Sequence, residues 1–336
     1  MNHLVKRNIS IVVLGVIFPA VVFTASICIG RYPLTVEQLF TYLFSPGVFE
    51  DPGANIFWNI RLPRVLFSLM AGGALAISGS VLQGIYRNPL VSPDIIGVSS
   101  GASLGAAIAI VLFSMNSSTI QLFAFAGGII AVLTTFNLAR AGNQSTIVSL
   151  ILSGVIINAL AQSGVSMLKY MADPLQQLPA IEFWMMGSLN TITWAKLFQF
   201  MPLFLICTVV IILLRWQLNA LSMGDEEAAT LGVSVTLMRA ILIGTATALV
   251  SGVVSMTGMI AWVGLICPHI TRILVGSDHK ISVPISFCTG AGFMAMSDTI
   301  ARSLTAAELP ISVITAVTGA PFLAYLLIKS GKSAWQ

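Results

Sequence analysis

The polar stretch Leu221-Ser-Met-Gly-Asp-Glu-Glu-Ala-Ala-Thr-Leu-Gly-Val233 separates two long apolar runs. It contains three acidic residues in succession, although the 336-residue chain has only 12 Asp and Glu in all. We expect Gly224 to interrupt the preceding helix, Asp225 to cap a new one, and Gly232 to end it. Negative charge in the first turn suits the helix dipole. A helix of about two turns is too short to be stable alone, so we expect a groove in a partner protein to hold it.

The composition around this stretch is that of a membrane protein. Apolar residues make up 57% of the chain and charged residues 8%, and the mean hydropathy is +0.94. Soluble domains have about 25% charged residues, so this chain cannot cover a water-facing surface. Its apolar runs are unbroken, whereas the strands of a membrane barrel alternate over about 10 residues. The sequence therefore predicts an all-α polytopic membrane protein, with a single transmembrane domain over residues 1–336.

Ten apolar segments approach the length of about 20 residues that crosses a bilayer. They are predicted at 9–30, 61–84, 93–113, 120–138, 146–168, 194–214, 238–256, 258–275, 281–300 and 310–328. Between the first two, Thr35 is expected to cap an interfacial helix at 35–43. Ser92-Pro93-Asp94 has the residue order of a helix start, which predicts that the third span begins there. The segment 169–190 is predicted to be a polar loop.

The basic residues indicate the orientation of these spans. If both termini are cytoplasmic, ten of the 16 Lys and Arg lie on the cytoplasmic side, as the positive-inside rule requires. Their scatter among loops gives no reason to expect nucleic-acid binding. Lys6-Arg7 before the first apolar run is typical of a signal peptide, but the run is too long and lacks a cleavage site. We therefore expect a multi-pass protein of the inner (cytoplasmic) membrane with a retained first helix.

Two segments of the chain are similar to each other. Ala76-Ile-Ser-Gly-Ser-Val81 in the second span resembles Leu249-Val-Ser-Gly-Val-Val254 in the seventh. These two spans run in opposite directions in the predicted topology. The pattern is consistent with an inverted repeat of spans 2–5 and 7–10, which is typical of transporters. The third span also carries Gly97, Gly101 and Gly105 on one face, which indicates close packing or a sliding pathway wall.

The spans contain few polar residues that could perform chemistry. They are Gln83, Asn158, Gln162, His269 and Asp298. The chain has no HExxH motif, no Ser/His/Asp grouping and no paired intramembrane carboxylates, and its four cysteines are far apart. We therefore expect no catalytic group, no metal site and no bound cofactor in this chain.

Basic residues at the predicted outer ends of two helices have three interpretations. Arg61 and Arg64 share one face of the second span, and Arg302 ends the ninth. They extend to the membrane interface, pair within the protein with Asp298 and Glu308, or form a basic pad for an acidic external partner. On the cytoplasmic side, the turn at Asn88 and Leu90 either narrows a pore mouth or only reverses the chain.

Ordered motifs along nearly the whole chain resemble the permease subunits of ABC importers for iron-siderophore, haem and vitamin B12. The motifs are Arg61-Leu-Pro-Arg64, Ser78-Gly79 with Leu82-Gln83, Arg87-Asn-Pro-Leu90 with Pro93-Asp94, Gly97-Val-Ser-Ser-Gly101, Phe183-Trp184 with Met186-Gly-Ser188, Glu227-Ala-Ala-Thr-Leu-Gly232, Val263-Gly-Leu-Ile-Cys-Pro-His269, Gly276-Ser-Asp-His279, Asp298 with Arg302, Glu308-Leu-Pro310 and Gly319-Ala-Pro-Phe322.

The resemblance implies an assembly and a set of roles. It implies a second permease subunit, as a homodimer or close heterodimer, two cytoplasmic ATPase subunits that bind ATP and Mg, and an extracytoplasmic binding protein. The loop 216–235 would couple to the ATPase, with Gly224, Asp225, Glu226, Glu227, Ala228, Ala229, Leu231 and Gly232 as the contact residues. Arg61, Arg64 and Arg302 would dock the binding protein. Asn88, Leu90, Ser145 and Thr146 would form the cytoplasmic gate.

This resemblance makes ATP-driven import of a metal chelate the expected function, with the ATPase activity on a partner because this chain has no Walker A sequence. Ferric siderophore is the first expectation for the cargo, and haem, cobalamin and a small oxyanion such as molybdate stay open. An ion-coupled secondary transporter is the main alternative, but it predicts buried carboxylates or broken helices at mid-membrane. A membrane enzyme would need a catalytic group, which the sequence lacks.

Overall fold

The computed structural model describes residues 2–44, 51–113, 115–141, 147–305 and 307–330, and these residues form helices and connecting turns. The helices of the first half are α1 (Asn2–Val12, Val13–Ile17 and Phe18–Cys28 in continuous succession), α2 (Val36–Phe44), α3 (Pro52–Ile85), α4 (Val98–Phe113), α5 (Ser117–Ala141) and α6 (Ile147–Met171). The helices of the second half are α7 (Gln177–Met186), α8 (Trp194–Leu213), α9 (Arg215–Met223), α10 (Asp225–Thr230), α11 (Val235–Thr257), α12 (Val263–Val275), α13 (His279–Ser303) and α14 (Ile311–Ser330).

The helix lengths fit a membrane protein with unequal spans. Within the described residues, six helices are long and apolar enough to cross a membrane, namely α1, α3, α5, α6, α8 and α11. The apolar helices α4, α12 and the described part of α14 are shorter. Helix α13 has 25 residues, which at about 1.5 Å per residue exceeds the hydrocarbon thickness, but it contains several polar side chains. The all-helical, polytopic class is confirmed, while the number of ten spans stays a prediction.

Two predicted boundaries differ from the structure. Helix α3 begins at Pro52 rather than at residue 61, because the Asp51 carboxylate caps it by accepting a hydrogen bond from the Gly53 N–H at 3.2 Å. The predicted loop at 169–190 contains the ten-residue helix α7. The interfacial helix is as predicted, since the Thr35 hydroxyl accepts from the Gln38 N–H and the Gln38 side chain accepts from the Thr35 N–H.

The third span does not begin at Ser92-Pro93-Asp94. Residues 93–97 form turns, and the helix starts after Gly97, whose φ of 92° lies in the left-handed region. Asp94 lies before the helix, and its carboxylate accepts a hydrogen bond from the Ser99 hydroxyl. The Asn158 side chain of α6 donates to the Asp94 carbonyl at 3.3 Å. The prediction was wrong because this segment forms its hydrogen bonds through tertiary contacts rather than through an early first turn.

Helix α3 is the centre of the molecule and packs against α11, α12 and α13. Helices α3 and α13 cross closely at Gly72 and Gly290, where a Cβ on either glycine would collide with the backbone carbonyl of the other. Gly79 approaches Gly264 of α12 in the same way. On α4, Gly101 and Gly105 pack against the backbone of α5, which confirms a packing role for the glycine stripe.

The packing of the two halves has the symmetry of an inverted repeat. Helix α4 packs on α5, and its counterpart α12 packs on α13. Each half also crosses the other, because α5 packs on α11 and α13 packs on α3. The shortened helices α4 and α12 occupy corresponding positions. The two Ser-Gly pairs are less equivalent, since Gly79 touches the backbone of α12 whereas Gly252 lies against the Phe200 and Leu203 side chains of α8.

Candidate functional site

Helix α10 is the acidic segment predicted from the sequence, and it follows an abrupt change of direction after α9. Gly224 is the N-cap, with φ 150° and ψ 163°, and no side chain caps this end. The prediction that Asp225 is the cap was therefore wrong. Its carboxylate Oδ1 instead lies 2.6 Å from Arg239 Nη2 of α11. Both partners are partly exposed, so the ion pair orients α10 more than it stabilises it.

The C-terminal end of α10 is stabilised by its own chain. The Val233 N–H donates to the Ala228 carbonyl and the Gly232 N–H to the Ala229 carbonyl, both at 3.0 Å, which is the Schellman arrangement. Gly232 supplies the positive φ of 78° that this cap requires. Ala228 is fully buried within the subunit. These contacts replace the external groove that the sequence analysis invoked as the support of the helix.

The outward face of α10 is exposed, and of its side chains Asp225 forms an ion pair within the described subunit. Asp225, Glu226, Glu227, Ala229 and Leu231 are exposed, and the Leu231 side chain is 51% exposed. Helix α9 ties this segment to α13, because the Asn219 side chain donates to Asp278 Oδ1 at 2.6 Å and accepts from the His279 N–H at 2.7 Å. A short acidic helix is thus displayed at the surface and connected to the bundle through α9.

The turn after α3 lies next to this segment. Arg87 has a φ of 48°, and its Nη1 lies 3.6 Å from the position that a Cβ on Gly224 would occupy. Asn88 Oδ1 accepts from the Leu90 N–H at 2.9 Å, so Asn88 shapes the turn, while the Leu90 side chain is 46% exposed. Ser145 and Thr146, the other predicted gate residues, lie outside the described residues.

The sequence analysis did not anticipate a connection between this turn and α12. Gln83, in the last turn of α3, donates to the Leu265 carbonyl at 3.2 Å and accepts from the Arg272 guanidinium. Gln83 was recognised as a polar residue in an apolar span, but no signal in the sequence identified its partner, which is 189 positions away.

The predicted docking arginines are buried rather than displayed. Arg64 is 7% exposed and is held by two carboxylates. Its Nη2 lies 2.8 Å from Asp298 Oδ1 and 2.9 Å from Glu308 Oε2, and its Nε and Nη1 also donate to these two side chains. The sequence analysis considered pairing with Asp298 and Glu308 as an alternative to a docking pad, and the structure has that pairing.

Arg61 and Arg302 bind the end of the first helix. Arg61 Nη1 donates to the Ile27 carbonyl at 2.6 Å, and Arg302 Nη2 donates to the Ser26 carbonyl. These carbonyls belong to the last turn of α1, where unpaired carbonyls and the helix dipole favour a cation. The three arginines, Asp298 and Glu308 together join α1, α3, α13 and the loop before α14, and we call them the outer ion cluster.

Glu308 is the part of the outer ion cluster that is most open to water, with its side chain 29% exposed. Burial by itself raises the pKa of this carboxyl, but the hydrogen bonds and charge of Arg64 outweigh it, so the pKa lies below its ordinary value of 4.5. Glu308 is therefore charged at neutral pH and stays bound to Arg64.

Helix α6 presents a broad face with no partner in the described subunit. Along it the apolar residues Val155 and Leu160 are 56% and 63% exposed. Gln162, Ser163 and Ser166 are exposed on the same helix, well inside its 25-residue length. Polar side chains inside a membrane helix usually face protein or a water-filled cavity rather than lipid.

Taken together, the long apolar helices, the shortened helices at corresponding positions and the displayed acidic helix define a polytopic helical membrane transporter. Comparisons with known proteins refine this class. The model of the FecCD transport family matches residues 17–329. The molybdate import system permease protein of Haemophilus influenzae is 42% identical over 311 residues, which cover 90% of this chain and 91% of that protein. The hemin transport system permease protein of Yersinia pestis is 37% identical over 286 residues, with coverages of 83% and 85%.

A solved structure gives the same result. It is described as an inward-facing conformation of a metal-chelate type ABC transporter, and it is 39% identical to this chain. The TM-score is 0.82, and the match covers 93% of this chain and 97% of that one. The chain therefore belongs to the FecCD transport family of ABC importer permeases, which confirms the resemblance found in the sequence.

Proposed function

We propose that this chain is the permease of an importer that moves a metal chelate into the cytoplasm, driven by ATP hydrolysis on separate subunits. The coupling part of this proposal is supported by the acidic helix α10, which the subunit's own contacts hold in place and which exposes Glu226, Glu227 and Leu231 at the surface. The loop 216–235 is proposed to seat in the ATPase through its exposed residues Asp225, Glu226, Glu227, Ala229, Leu231 and Gly232. Gly224 and Ala228, also predicted as contact residues, are buried within the subunit and support the helix instead. The N and C termini are proposed to lie on the same, cytoplasmic side.

The contacts around α10 support a mechanical route from the ATPase to the pathway. A displacement of α10 would act on α13 through α9, where Asn219 binds Asp278. It would also reach the turn after α3, because the Arg87 guanidinium lies near Gly224. That turn carries Leu90, the proposed gate residue, and Gln83 links it to α12. Closure of an ATPase dimer would thus alter both halves of the bundle at once.

We infer that two permease subunits meet across the open face of α6, with the pathway between them. The exposed hydroxyl and amide groups of Gln162, Ser163 and Ser166 support this, because they would be costly against lipid but suit a wet cavity. A homodimer is the simplest assembly, since one chain then supplies both walls. Because such a pathway has few polar groups, it would bind the cargo weakly. Most of the affinity for the cargo would therefore come from an extracytoplasmic binding protein.

The docking proposal for the outer arginines is revised by their surroundings. Arg64 and Arg302 are engaged within the subunit, so an acidic residue of a binding protein would need to compete with Glu308 for Arg64. Glu308 is the exchangeable partner because it is more exposed than Asp298. Docking through Arg64 is therefore proposed to proceed by carboxylate exchange.

Ferric siderophore is proposed as the cargo, and molybdate is the second candidate. The match to a metal-chelate type transporter structure supports the first, and the 42% identity with a molybdate permease supports the second. Haem remains a third option through the hemin permease relative. Purifying the paired binding protein and identifying its bound ligand by mass spectrometry and metal analysis would decide among them.

The coupling proposal is tested by co-purification with the ATPase subunit. In detergent, Glu227→Lys and Gly232→Pro are expected to lose the ATPase, the first by charge reversal on an exposed residue and the second by breaking the C-cap. The matched control is Glu37→Lys, the same charge reversal on the exposed face of α2. Retention of the ATPase by both α10 variants, with the control unchanged, would remove the support for α10 as the coupling element.

A further inference from the structure

A cavity of about 690 Å³ lies between α5, α11 and the end of α3, apart from the outer ion cluster and the α6 face. On α5 its lining runs from Ile129 to Arg140, which at about 1.5 Å per residue spans about 16 Å. That distance is about half of the 30 Å hydrocarbon core, so the cavity has the depth of one leaflet. Leu133 at its edge is 57% exposed, so the cavity opens sideways to the surface of the bundle.

The polarity of the cavity changes from one end to the other on both helices. On α5, Ile129 and Phe136 lead to Asn137 and Arg140 at the C-terminal end. Helix α11 runs in the opposite direction, so its first residues lie at the same level as Arg140. Its lining accordingly begins with Thr236 and Arg239 and continues to apolar Ile243. Charged groups are thus gathered at one mouth of the cavity, and its depth is lined by apolar side chains and the Thr247 side chain.

The polar mouth has an excess of positive charge. Three arginines, Arg87, Arg140 and Arg239, line it against a single carboxylate, Asp225, which gives a formal charge of 3 − 1 = +2. Tyr86 is the remaining titratable group of the lining. Asp225 engages Nη2 of Arg239, while the buried Nε of Arg239 has no hydrogen-bond partner in the described part of the chain. Arg87 and Arg140 are exposed at the mouth.

We propose that this cavity binds one anionic phospholipid of the cytoplasmic leaflet, with its phosphate at the three arginines and an acyl chain along α5 and α11. The basic mouth and the apolar depth match the head group and the acyl chain of a lipid. A free phosphate would bind at the mouth and leave the apolar part of the cavity empty. Basic pockets between membrane helices on the cytoplasmic side have this recognition chemistry. Because Arg239 also orients Asp225 of α10, the lipid is placed beside the coupling helix. The proposal needs the cytoplasmic orientation of α10 but is independent of the cargo.

Native mass spectrometry of the purified permease, titrated with phosphatidylglycerol in a neutral detergent, tests the proposal. Wild type is expected to bind one phosphatidylglycerol per subunit in preference to phosphatidylcholine. Each basic residue near the head group contributes about fivefold to affinity, so the double variant Arg87→Gln/Arg140→Gln is expected to bind about thirty-fold more weakly. The control Lys280→Gln removes an exposed basic residue at the same end of the bundle and is expected to bind as wild type.

A second variant tests the apolar part of the cavity without disturbing the arginines. Gly244 lines the cavity, and a Cβ added there would meet no atom within 4 Å, so the side chain of Gly244→Leu is expected to occupy part of the space of the acyl chain. It is expected to reduce phosphatidylglycerol binding at least tenfold and to leave the thermal unfolding temperature within a few degrees of wild type. Glycerol phosphate, which lacks acyl chains, is expected not to compete.

Three results would overturn the proposal. Equal phosphatidylglycerol binding by wild type and all variants would mean nonspecific annular lipid. Competition by glycerol phosphate together with unchanged binding by Gly244→Leu would mean a simple anion site. The double variant could instead lose the ATPase subunit or the dimer while lipid binding is unchanged. That result would mean that the cavity binds another protein subunit and not a lipid.

Discussion

Asp298 is the residue on which the outer ion cluster depends. It is 1% exposed and lies 2.8 Å from Arg64 and 3.7 Å from Arg302, so its charge offsets two buried cations. Asp298→Asn is expected to destabilise the protein by about 3–5 kcal/mol, because removing one partner of a buried pair leaves the other charge unpaired. The measurement is thermal unfolding in detergent. A shift of under about 1 kcal/mol would show that water reaches these arginines.

Glu308 provides the matched comparison, since it binds the same arginine but is partly exposed. Glu308→Gln is expected to cost about 1 kcal/mol or less. Arg64 lowers the pKa of the Glu308 carboxyl, so this carboxylate contributes fully to the free energy of unfolding above the ordinary pKa of 4.5. The contribution is lost as the pH falls below that value. Thermal unfolding measured between pH 7 and pH 3 should show the difference between wild type and Glu308→Gln shrinking in acid. A difference that persists at pH 3 would contradict this assignment.

The same residue gives a functional prediction for docking. If the partner's carboxylate must displace Glu308 from Arg64, Glu308→Gln should bind the binding protein more tightly than wild type, by several-fold in surface plasmon resonance. Asp298→Asn does not serve as the comparison because it also perturbs folding, so Glu182→Gln, a partly exposed carboxylate paired with Lys169, is the control. Weaker binding by Glu308→Gln would exclude exchange and point to a direct role for the Glu308 carboxylate.

At the scale of helices, the crossing of α3 and α13 brings two backbones together with no room for a side chain. A side chain at Gly290 would collide with the Gly72 carbonyl, so Gly290→Leu is expected to destabilise by about 1–3 kcal/mol or more. Gly244→Ala is the control within another span, where the added Cβ meets open space and the helix gains about 0.5–1 kcal/mol. Thermal unfolding of the two variants should shift in opposite directions. A tolerated Gly290→Leu would show that the two helices can separate.

Prediction of the elements from the sequence succeeded where hydrophobicity decides and failed where tertiary contacts decide. The long spans and the Thr35 cap followed from local patterns. The start of α4 did not, because the Asn158 side chain donates to the Asp94 carbonyl across 64 positions and Gly97 adopts a positive φ. Asp225 was mistaken for a cap for the same reason, since its partner Arg239 is invisible to a local pattern.

At the scale of the whole molecule, the class and family were readable from the sequence because composition and ordered motifs extend over the entire chain. The burial of the predicted docking arginines was not readable from the sequence. Three basic residues at helix ends give the same sequence pattern whether they face solvent or the interior. The α6 face and the basic cavity also needed the structure, because both depend on which helices leave a side uncovered. In the subunit, α10 is connected to α11 through Asp225 and Arg239, and the last turn of α3 is connected to α12 through Gln83.

The most direct test of this account is uptake into proteoliposomes containing the permease, its ATPase subunit and its binding protein. The probe is whichever of ferric siderophore or molybdate the binding protein retains on purification. The account predicts uptake with ATP and Mg on the cytoplasmic side, at least tenfold less with Glu227→Lys, wild-type uptake with Glu37→Lys, and no uptake driven by a proton or sodium gradient alone. Uptake driven by an ion gradient without ATP, at a rate unaffected by Glu227→Lys, would contradict it.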